Sequence, residues 1–248
     1  MLGKKIRLAQ MFKQDRMFIV PMDHSVSYGP IEGLRNYMET IKLIKGAGVD
    51  SIVLHKGLLK QIAENRDLAG FPYIMHLSAS IGWDKHPEKK VLVADVEEAI
   101  RLGAMGVSIH INLNNDFSSE MIFDLGCVSK KCEQWGIPLL AMMYVSSGSV
   151  PSDYTHIIHA ARLAEELGAD IIKIPFPGEK HLNTLLSSVT IPTLISGGHL
   201  NENFDEIMLQ IKCCMAAGFK GVAIGRNVFQ HNNINDVVRK ISNLVHER

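Results

Sequence analysis

The stretch HAARLAEELGADIIKIP, residues 159–175, decides the fold. Its first part places apolar residues at spacings of three and four, which is typical of one helix face, and ends near a glycine. Residues 170–174 then form a short β-branched run, as expected of a strand buried on both sides in a parallel sheet. A helix, a glycine and a buried strand in this order indicate the repeating unit of an α/β fold.

Eight apolar runs of this kind occur along the chain, with helical patterns between them. The predicted strands are Met17–Met22, Ser51–His55, Tyr73–Leu77, Gly106–Ile111, Pro138–Tyr144, Asp170–Ile174, Pro192–Ser196 and Gly221–Ile224. Eight such units in 248 residues predict a closed (β/α)8 TIM barrel rather than an open doubly wound sheet. No linker divides the chain, so we expect a single barrel domain over residues 1–248, with a short helix at residues 3–12 closing the barrel bottom.

The composition favours small-molecule chemistry. Lys and Arg number 26, and so do Asp and Glu, so a nucleic-acid or membrane-binding surface is not expected. No signal-type segment or apolar run of 18 residues is present, which predicts a cytoplasmic protein. Reduced thiols in such a compartment are expected for the four cysteines, Cys127, Cys132, Cys213 and Cys214.

Active sites of barrel enzymes lie where the strands end, so the polar residues there carry the functional prediction. Asp23, Tyr144 and Lys173 end the first, fifth and sixth predicted strands. A lysine desolvated at such a place has a larger fraction of neutral amine and is suited to forming a Schiff base with a ketone or aldehyde. A phenol or carboxylate nearby is a suitable proton carrier. The alternatives are an exposed or ion-paired lysine, a plain aromatic at the barrel rim and a loop carboxylate.

Glycines after the seventh and eighth predicted strands indicate a phosphate site. ISGGH (195–199) and AIGRN (223–227) supply Ser196, Gly197, Gly198, Gly225 and Arg226. Glycines let backbone N–H groups approach an anion, a following helix adds its positive end, and Arg226 adds charge. Turn glycines beside a surface arginine are the alternative interpretation.

The histidines offer a rival chemistry. Five of them lie near strand ends, where a barrel brings side chains together around zinc: His24, His55, His76, His110 and His199. Against zinc, the chain has no His-x-His pair and no HExxH motif.

Several segments spread over nearly the whole chain resemble one family, the class I (Schiff-base) barrel aldolases. This family includes archaeal-type fructose-bisphosphate aldolase and 2-amino-3,7-dideoxy-D-threo-hept-6-ulosonate synthase, and the resemblance is closer to the synthase. The matching segments are GKKIRL (3–8), IVPMDHSVSYGPIEGL (19–34), LHKG (54–57), HLSAS (76–80), VEEAIRLGA (96–104), PLLAMMY (138–144), HAARLAEELGADIIK (159–173) and AIGRNVFQH (223–231).

The resemblance implies Lys173 as the Schiff-base lysine, Tyr144 as the proton-transferring tyrosine and Asp23 as a catalytic aspartate. It also implies that the glycines and Arg226 bind phosphate, and that no metal or other cofactor is needed. His24, His55 and Lys56 are further candidates for holding substrate. Family members are commonly homo-oligomers, often decamers, so a homo-oligomer is expected.

Two segments depart from the family pattern. Val145-Ser146-Ser147-Gly148 stands where the family usually has Pro-Arg-Gly, so an arginine expected to hold substrate is missing. Residues 174–179 read IPFPGE instead of a sequence like Thr-Asn-Tyr-Thr-Gly-Asp, which adds two prolines and removes a threonine hydroxyl. Both changes flank the predicted catalytic residues and bear on the substrate more than on the chemistry.

The sequence therefore predicts a metal-independent class I aldolase or transaldolase. Its donor is expected to be a phosphorylated ketone or ketose and its acceptor an aldehyde such as L-aspartate semialdehyde, which leads towards aromatic amino acids. Cleavage of fructose 1,6-bisphosphate is the alternative reaction. A non-catalytic protein that binds a phosphorylated metabolite is the alternative of another class.

Overall fold

A computed structural model describes residues 2–146, 153–198, 200 and 203–247. Its strands are β1 Met17–Pro21, β2 Ser51–Leu54, β3 Tyr73–His76, β4 Ser78–Ala79, β5 Val91–Leu92, β6 Gly106–Leu113, β7 Leu139–Val145, β8 Ile171–Ile174, β9 Thr193–Ser196 and β10 Gly221–Ala223. Eight of them form a closed parallel barrel in the order β1-β10-β9-β8-β7-β6-β3-β2. The predicted (β/α)8 barrel and the positions of its eight strands are confirmed.

Helices follow the strands in the alternation that the sequence predicted. They are α1 Leu2–Met11, α2 Ser25–Tyr28, α3 Tyr37–Ala47, α4 Lys56–Ala63, α5 Val96–Arg101, α6 Ser118–Trp135, α7 Tyr154–Glu166, α8 Leu182–Ser188, α9 Phe204–Ala217, α10 Arg226–Phe229 and α11 Ile234–His246. Within the ranges described, no helix combines the length and apolar character needed to cross a bilayer.

Alternation along each strand divides the core into two parts. On β1, Met17 and Ile19 belong to the cluster inside the barrel, whereas Phe18 and Val20 belong to the larger cluster under the helices. Successive side chains of a strand point to opposite faces, and both faces are covered here. This explains why the strands read as continuous apolar runs in the sequence.

Helix α1 and several polar contacts lie at the amino ends of the strands. Met11 at the end of α1 is fully buried within the inner cluster, and Arg7 donates a 2.8 Å hydrogen bond to the carbonyl of Gly136. Asp50 accepts a 2.7 Å hydrogen bond from the backbone N–H of Phe18 and lies 2.9 Å from Nε2 of His246. These contacts fix the end of the barrel remote from the predicted site.

A short hairpin lies above the carboxyl end of β3. Its strands β4 and β5 pair antiparallel, with Ser78 opposite Leu92. The sequence analysis did not predict this hairpin, because each strand is only two residues long. It carries side chains over the mouth of the barrel.

Candidate active site

A cavity of about 400 Å³ opens at the carboxyl ends of the strands. It is lined by Asp23, His24, Ser27, Tyr28, His55, His76, Ser78, Ala79, Ser80, Lys90, His110, Asn112, Met142, Tyr144, Val145, Lys173, Pro175, Ser196, Gly198 and Arg226. The volume suits a small metabolite. The structure therefore brings Asp23, Tyr144 and Lys173 to one cavity, although they come from strands far apart in the sequence.

Lys173 lies on β8 with its side chain buried inside the barrel mouth. It pairs in register with Met142 on β7, and its Nζ lies 3.9 Å from Sδ of Met142. Its Nζ also lies 5.8 Å from the centroid of the Tyr144 ring. No carboxylate oxygen of the described residues comes within 4.0 Å of this nitrogen. A buried amine without a close counter-ion is costly, so a structural role explains it poorly.

Tyr144 is held by stacking at the carboxyl end of β7. Its ring stacks on the ring of His110, with centroids 4.7 Å apart and an interplanar angle of 29°. His110 Nε2 donates a 2.9 Å hydrogen bond to Oδ1 of Asn112, which fixes the imidazole tautomer. Burial holds the pKa of His110 well below its ordinary value, so a neutral ring supports the tyrosine.

Asp23 follows β1 and is surrounded by nitrogen-bearing side chains. Its carboxylate oxygens lie 3.6 Å from Nδ1 of His24 and 3.6 Å from Nε2 of His76. Burial raises the pKa of Asp23, but attraction to His76, His24 and Lys173 in their protonated forms outweighs burial, and the pKa lies below its ordinary value. The Asp23 side chain is therefore a carboxylate at neutral pH.

His76 lies beneath Asp23 as a neutral ring. Burial lowers the pKa of His76 to about 3, and the charge of Asp23 offsets this only in part. Its Nδ1 lies 2.8 Å from the hydroxyl of Ser108, and its ring contacts His55 edge-on at 5.2 Å between centroids. The His76 ring is therefore uncharged at neutral pH.

The predicted phosphate site lies on the opposite side of the cavity from β3 and β6. Ser196, Gly198 and Arg226 line the cavity, and Nη2 of Arg226 donates a 3.0 Å hydrogen bond to the carbonyl of Gly198. The Ser196 hydroxyl is buried and forms no hydrogen bond within the described part of the chain. A buried hydroxyl of this kind is available to an anionic ligand. The helix α10 that follows has only four residues, so its dipole adds little.

The other two predicted glycines lie behind the cavity and allow close packing. A Cβ on Gly197 would lie 2.6 Å from Cγ2 of Ile224, and one on Gly225 would lie 2.5 Å from the carbonyl oxygen of Pro21. Asn227 donates a 2.8 Å hydrogen bond to the carbonyl of Gly197 from the same side. These glycines therefore position the strand ends rather than line the cavity.

Only some of the remaining predicted site residues lie at the cavity. His24 and His55 line the cavity, but Lys56 begins α4 and forms a 3.2 Å ion pair with Glu98 outside the cavity lining. His199, proposed above as a zinc ligand, lies outside the described residues. Across residues 2–146, 153–198, 200 and 203–247, no group of three or more His, Cys, Asp or Glu is arranged to hold a metal ion.

Among the described residues that line the cavity, Lys90 is a charged one that the sequence did not point to. It immediately precedes β5 in the hairpin, and its Nζ donates a hydrogen bond to the hydroxyl of Ser80. The available signal was a lysine pair, residues 89–90, just before the apolar run 91–93 in the segment after the third strand. Polar residues in the loops after barrel strands belong to the functional face, and Lys90 lies 14 residues after the end of β3 in such a loop.

Both segments that depart from the family pattern border the cavity. Val145 and Pro175 line it, and the N–H of Ser146 donates a 2.8 Å hydrogen bond to the carbonyl of Leu113. Ser147 and Gly148 lie outside the described residues. The departures therefore shape the cavity wall next to Tyr144 and Lys173.

Comparison with known proteins assigns this architecture to a family. A family model described as DeoC/LacD family aldolase matches residues 17–231. The chain is 34% identical to 2-amino-4,5-dihydroxy-6-oxo-7-(phosphonooxy)heptanoate synthase of Streptomyces griseus, covering 98% of this chain and 90% of that protein. It is 35% identical to 2-amino-3,7-dideoxy-D-threo-hept-6-ulosonate synthase 1 of Archaeoglobus fulgidus, covering 99% and 92%.

A solved structure shares the fold over its full length. It is an archaeal fructose-1,6-bisphosphate aldolase with the catalytic Lys covalently bound to the carbinolamine intermediate of the substrate. The two structures superpose with a TM-score of 0.88 at 25% identity, covering 98% of this chain and 99% of the other. The similarity therefore extends to a barrel in which a lysine forms a covalent intermediate.

Proposed function

The chain belongs to the DeoC/LacD aldolase family and is an enzyme of the class I aldolase type, and from this premise we propose that Lys173 is its Schiff-base lysine. The observation that carries the proposal is the buried amine of Lys173, which faces the cavity and has no carboxylate of the described residues within 4.0 Å. Such an amine is suited to nucleophilic attack, because no carboxylate of the described residues holds it in an ion pair.

The proposed reaction begins with addition of the neutral amine of Lys173 to the carbonyl carbon of a ketone donor. Loss of water gives an iminium ion. Its positively charged nitrogen accepts the electron pair when the adjacent carbon loses a proton or when a C–C bond at that carbon breaks. The resulting enamine attacks the carbonyl carbon of an aldehyde and forms the new C–C bond. Hydrolysis of the final iminium ion returns the free lysine, so the water lost at the first step is regained at the last.

Tyr144 and Asp23 are proposed to manage protons and charge in this sequence. Tyr144 lines the same cavity as Lys173, with its ring centroid 5.8 Å from Nζ of the lysine, so both side chains can contact one bound substrate. It is therefore suited to donate a proton to the oxygen of the new alcohol. Asp23 keeps its negative charge at neutral pH, and a carboxylate beside an iminium ion stabilises that cation.

The donor is proposed to be a phosphorylated ketone or ketose bound by Ser196, Gly198 and Arg226. Support comes from the unpartnered Ser196 hydroxyl and from the Arg226 guanidinium beside Gly198. An acceptor such as L-aspartate semialdehyde agrees with the names of the two related synthases, which make amino-bearing seven-carbon products. Cleavage of fructose 1,6-bisphosphate is the second candidate, favoured by the related solved structure. A homo-oligomer is also proposed.

Borohydride trapping tests the proposal. The enzyme is incubated with dihydroxyacetone phosphate and sodium borohydride, and peptides are analysed by mass spectrometry. We expect a reduced adduct on Lys173, and loss of both adduct and turnover in Lys173→Met. Lys220→Met is the control, because Lys220 is a half-exposed lysine paired with Asp15 just before β10, at the opposite end of the barrel. Full turnover by Lys173→Met would exclude the imine mechanism.

A further inference from the structure

Besides Lys173 and Arg226, Lys90 faces the same cavity from the hairpin. Lys90 Nζ donates a hydrogen bond to the hydroxyl of Ser80, and that hydroxyl donates a 2.8 Å hydrogen bond to the carbonyl of Pro87. Pairing of Ala79 with Val91 closes the hairpin directly beside these residues. The ammonium is therefore held in a defined position.

The barrel order places Lys90 across the cavity from the phosphate site. The hairpin follows β3, and the side chain of Asn112 on β6 donates a 2.7 Å hydrogen bond to the carbonyl of Glu88. In the closed order β1-β10-β9-β8-β7-β6-β3-β2, β3 lies opposite β9 and β6 lies opposite β10. Strand β9 precedes Gly198 and strand β10 precedes Arg226. Lys90 and Arg226 therefore lie at opposite sides of the mouth.

The proposed catalytic residues lie between these two sides. Going round the barrel from β9 to β6, β8 carries Lys173 and β7 carries Tyr144, whereas Asp23 follows β1 on the other arc. A donor whose phosphate lies beside Arg226 and whose carbonyl meets Lys173 leaves the Lys90 side of the cavity open. Under the proposed function, this is the space left for the acceptor.

Lys90 forms no close ion pair with any residue that the structure describes. None of the ion pairs within 4.0 Å among the described residues includes Lys90. Burial lowers the pKa of Lys90 from its ordinary value, and the more distant charges of Asp23 and Glu88 oppose this effect. A bound anion would raise the pKa of Lys90 again, because an opposite charge favours the ammonium form.

We infer that Lys90 binds a negatively charged group on the aldehyde acceptor, at the end remote from the reacting carbon, so that the enzyme selects anionic aldehydes. This inference rests on the proposed function and adds the specificity-determining residue of the acceptor side. The group is a carboxylate or a phosphate. Lys90 supplies a cation at this cavity although the arginine of the family pattern is absent after Tyr144.

Acceptor kinetics with Lys90→Met test the inference. The donor is dihydroxyacetone phosphate, and the acceptors are L-aspartate semialdehyde, glyceraldehyde 3-phosphate and the neutral D-glyceraldehyde. Removing a charged hydrogen-bond donor is expected to lower kcat/KM for the preferred anionic aldehyde by about ten- to hundredfold. For neutral D-glyceraldehyde we expect no change, and the borohydride adduct on Lys173 should form as in the wild type. The anionic aldehyde with the larger loss identifies the carboxylate or the phosphate as the ligand.

Two further variants sharpen the test. Lys89→Met is the matched control, because Lys89 is the neighbouring residue but forms a 2.8 Å ion pair with Glu120 away from the cavity. It should leave all acceptors unaffected. Lys90→Arg should recover most of the preference for the anionic aldehyde, since it keeps the charge.

The outcomes separate this inference from the proposed function. If the wild type forms no adduct on Lys173, the proposed function fails and the inference fails with it. If the adduct forms but Lys90→Met affects neutral and anionic aldehydes equally, or neither, the inference alone is overturned. A rise in KM confined to dihydroxyacetone phosphate would also overturn it, because Lys90 would then hold the donor.

Discussion

Replacement of Gly225 by alanine would press on the end of strand β1. The added Cβ would lie 2.5 Å from the carbonyl oxygen of Pro21, about 0.9 Å short of the 3.4 Å at which ordinary contact begins. It would also lie 2.8 Å from Cε1 of His24 and 3.2 Å from Cε1 of Phe229. Backbone on one side and two rings on the other leave little room for relaxation, so the strand end must move.

The magnitude follows from that displacement. Overpacking of this kind costs about 1–3 kcal/mol, which corresponds to a decrease in Tm of about 2–12 °C for a domain of this size. Pro21 precedes Asp23 by two residues, so a shift of its carbonyl moves the carboxylate too. A misplacement of about 1 Å in an active site costs about a hundredfold in rate. We expect kcat/KM to fall by about that factor, although Gly225 is not among the residues that line the cavity.

The assay combines thermal unfolding, aldol kinetics and a matched alanine variant. Gly126 lies inside helix α6, and a Cβ added there meets nothing within 4 Å. Gly126→Ala should therefore keep full activity and gain up to about 1 kcal/mol from the better helix propensity of alanine. Wild-type Tm and kcat/KM in Gly225→Ala would refute the view that close packing behind the cavity requires this glycine.

Three further predictions concern single residues. Tyr144→Phe should lower kcat by about 10²- to 10⁴-fold while the borohydride adduct on Lys173 still forms; an unchanged kcat would remove the tyrosine from proton transfer. The unfolded His76 ring binds a proton below its ordinary pKa of 6.5 and the folded ring only near 3, so stability should fall by a few kcal/mol as the pH drops through this range. Urea unfolding at several pH values should show that the free energy of unfolding depends less steeply on pH in His76→Asn than in the wild type. An equal slope would contradict a neutral, buried His76. Asp50→Ala leaves His246 and the Phe18 N–H without their acceptor and should cost about 3–5 kcal/mol in urea unfolding, without affecting adduct formation; a loss below 1 kcal/mol would show that other groups satisfy them.

Much of the fold and part of the site could be predicted from local patterns. Runs such as Asp170–Ile174 are buried on both faces, and this requirement appears in the sequence as continuous apolar residues with helical patterns and glycines between them. Because strand ends of a barrel meet at one face, Asp23, Tyr144 and Lys173 could be assigned to a common cavity from their positions alone. The structure places all three in that cavity.

Side-chain direction and pairing between distant segments could not be predicted in this way. Lys56 follows a strand but turns to Glu98, whereas Lys90 enters the cavity because a two-residue antiparallel pairing folds its hairpin over the barrel. Gly225 serves the packing of β1 against its neighbour, and only the distance to Pro21 reveals this. The sequence by itself thus determined the barrel and the strand ends that form its cavity, since burial and periodicity are local. The tertiary structure decided which charges face the substrate, because that depends on contacts between residues far apart in the chain.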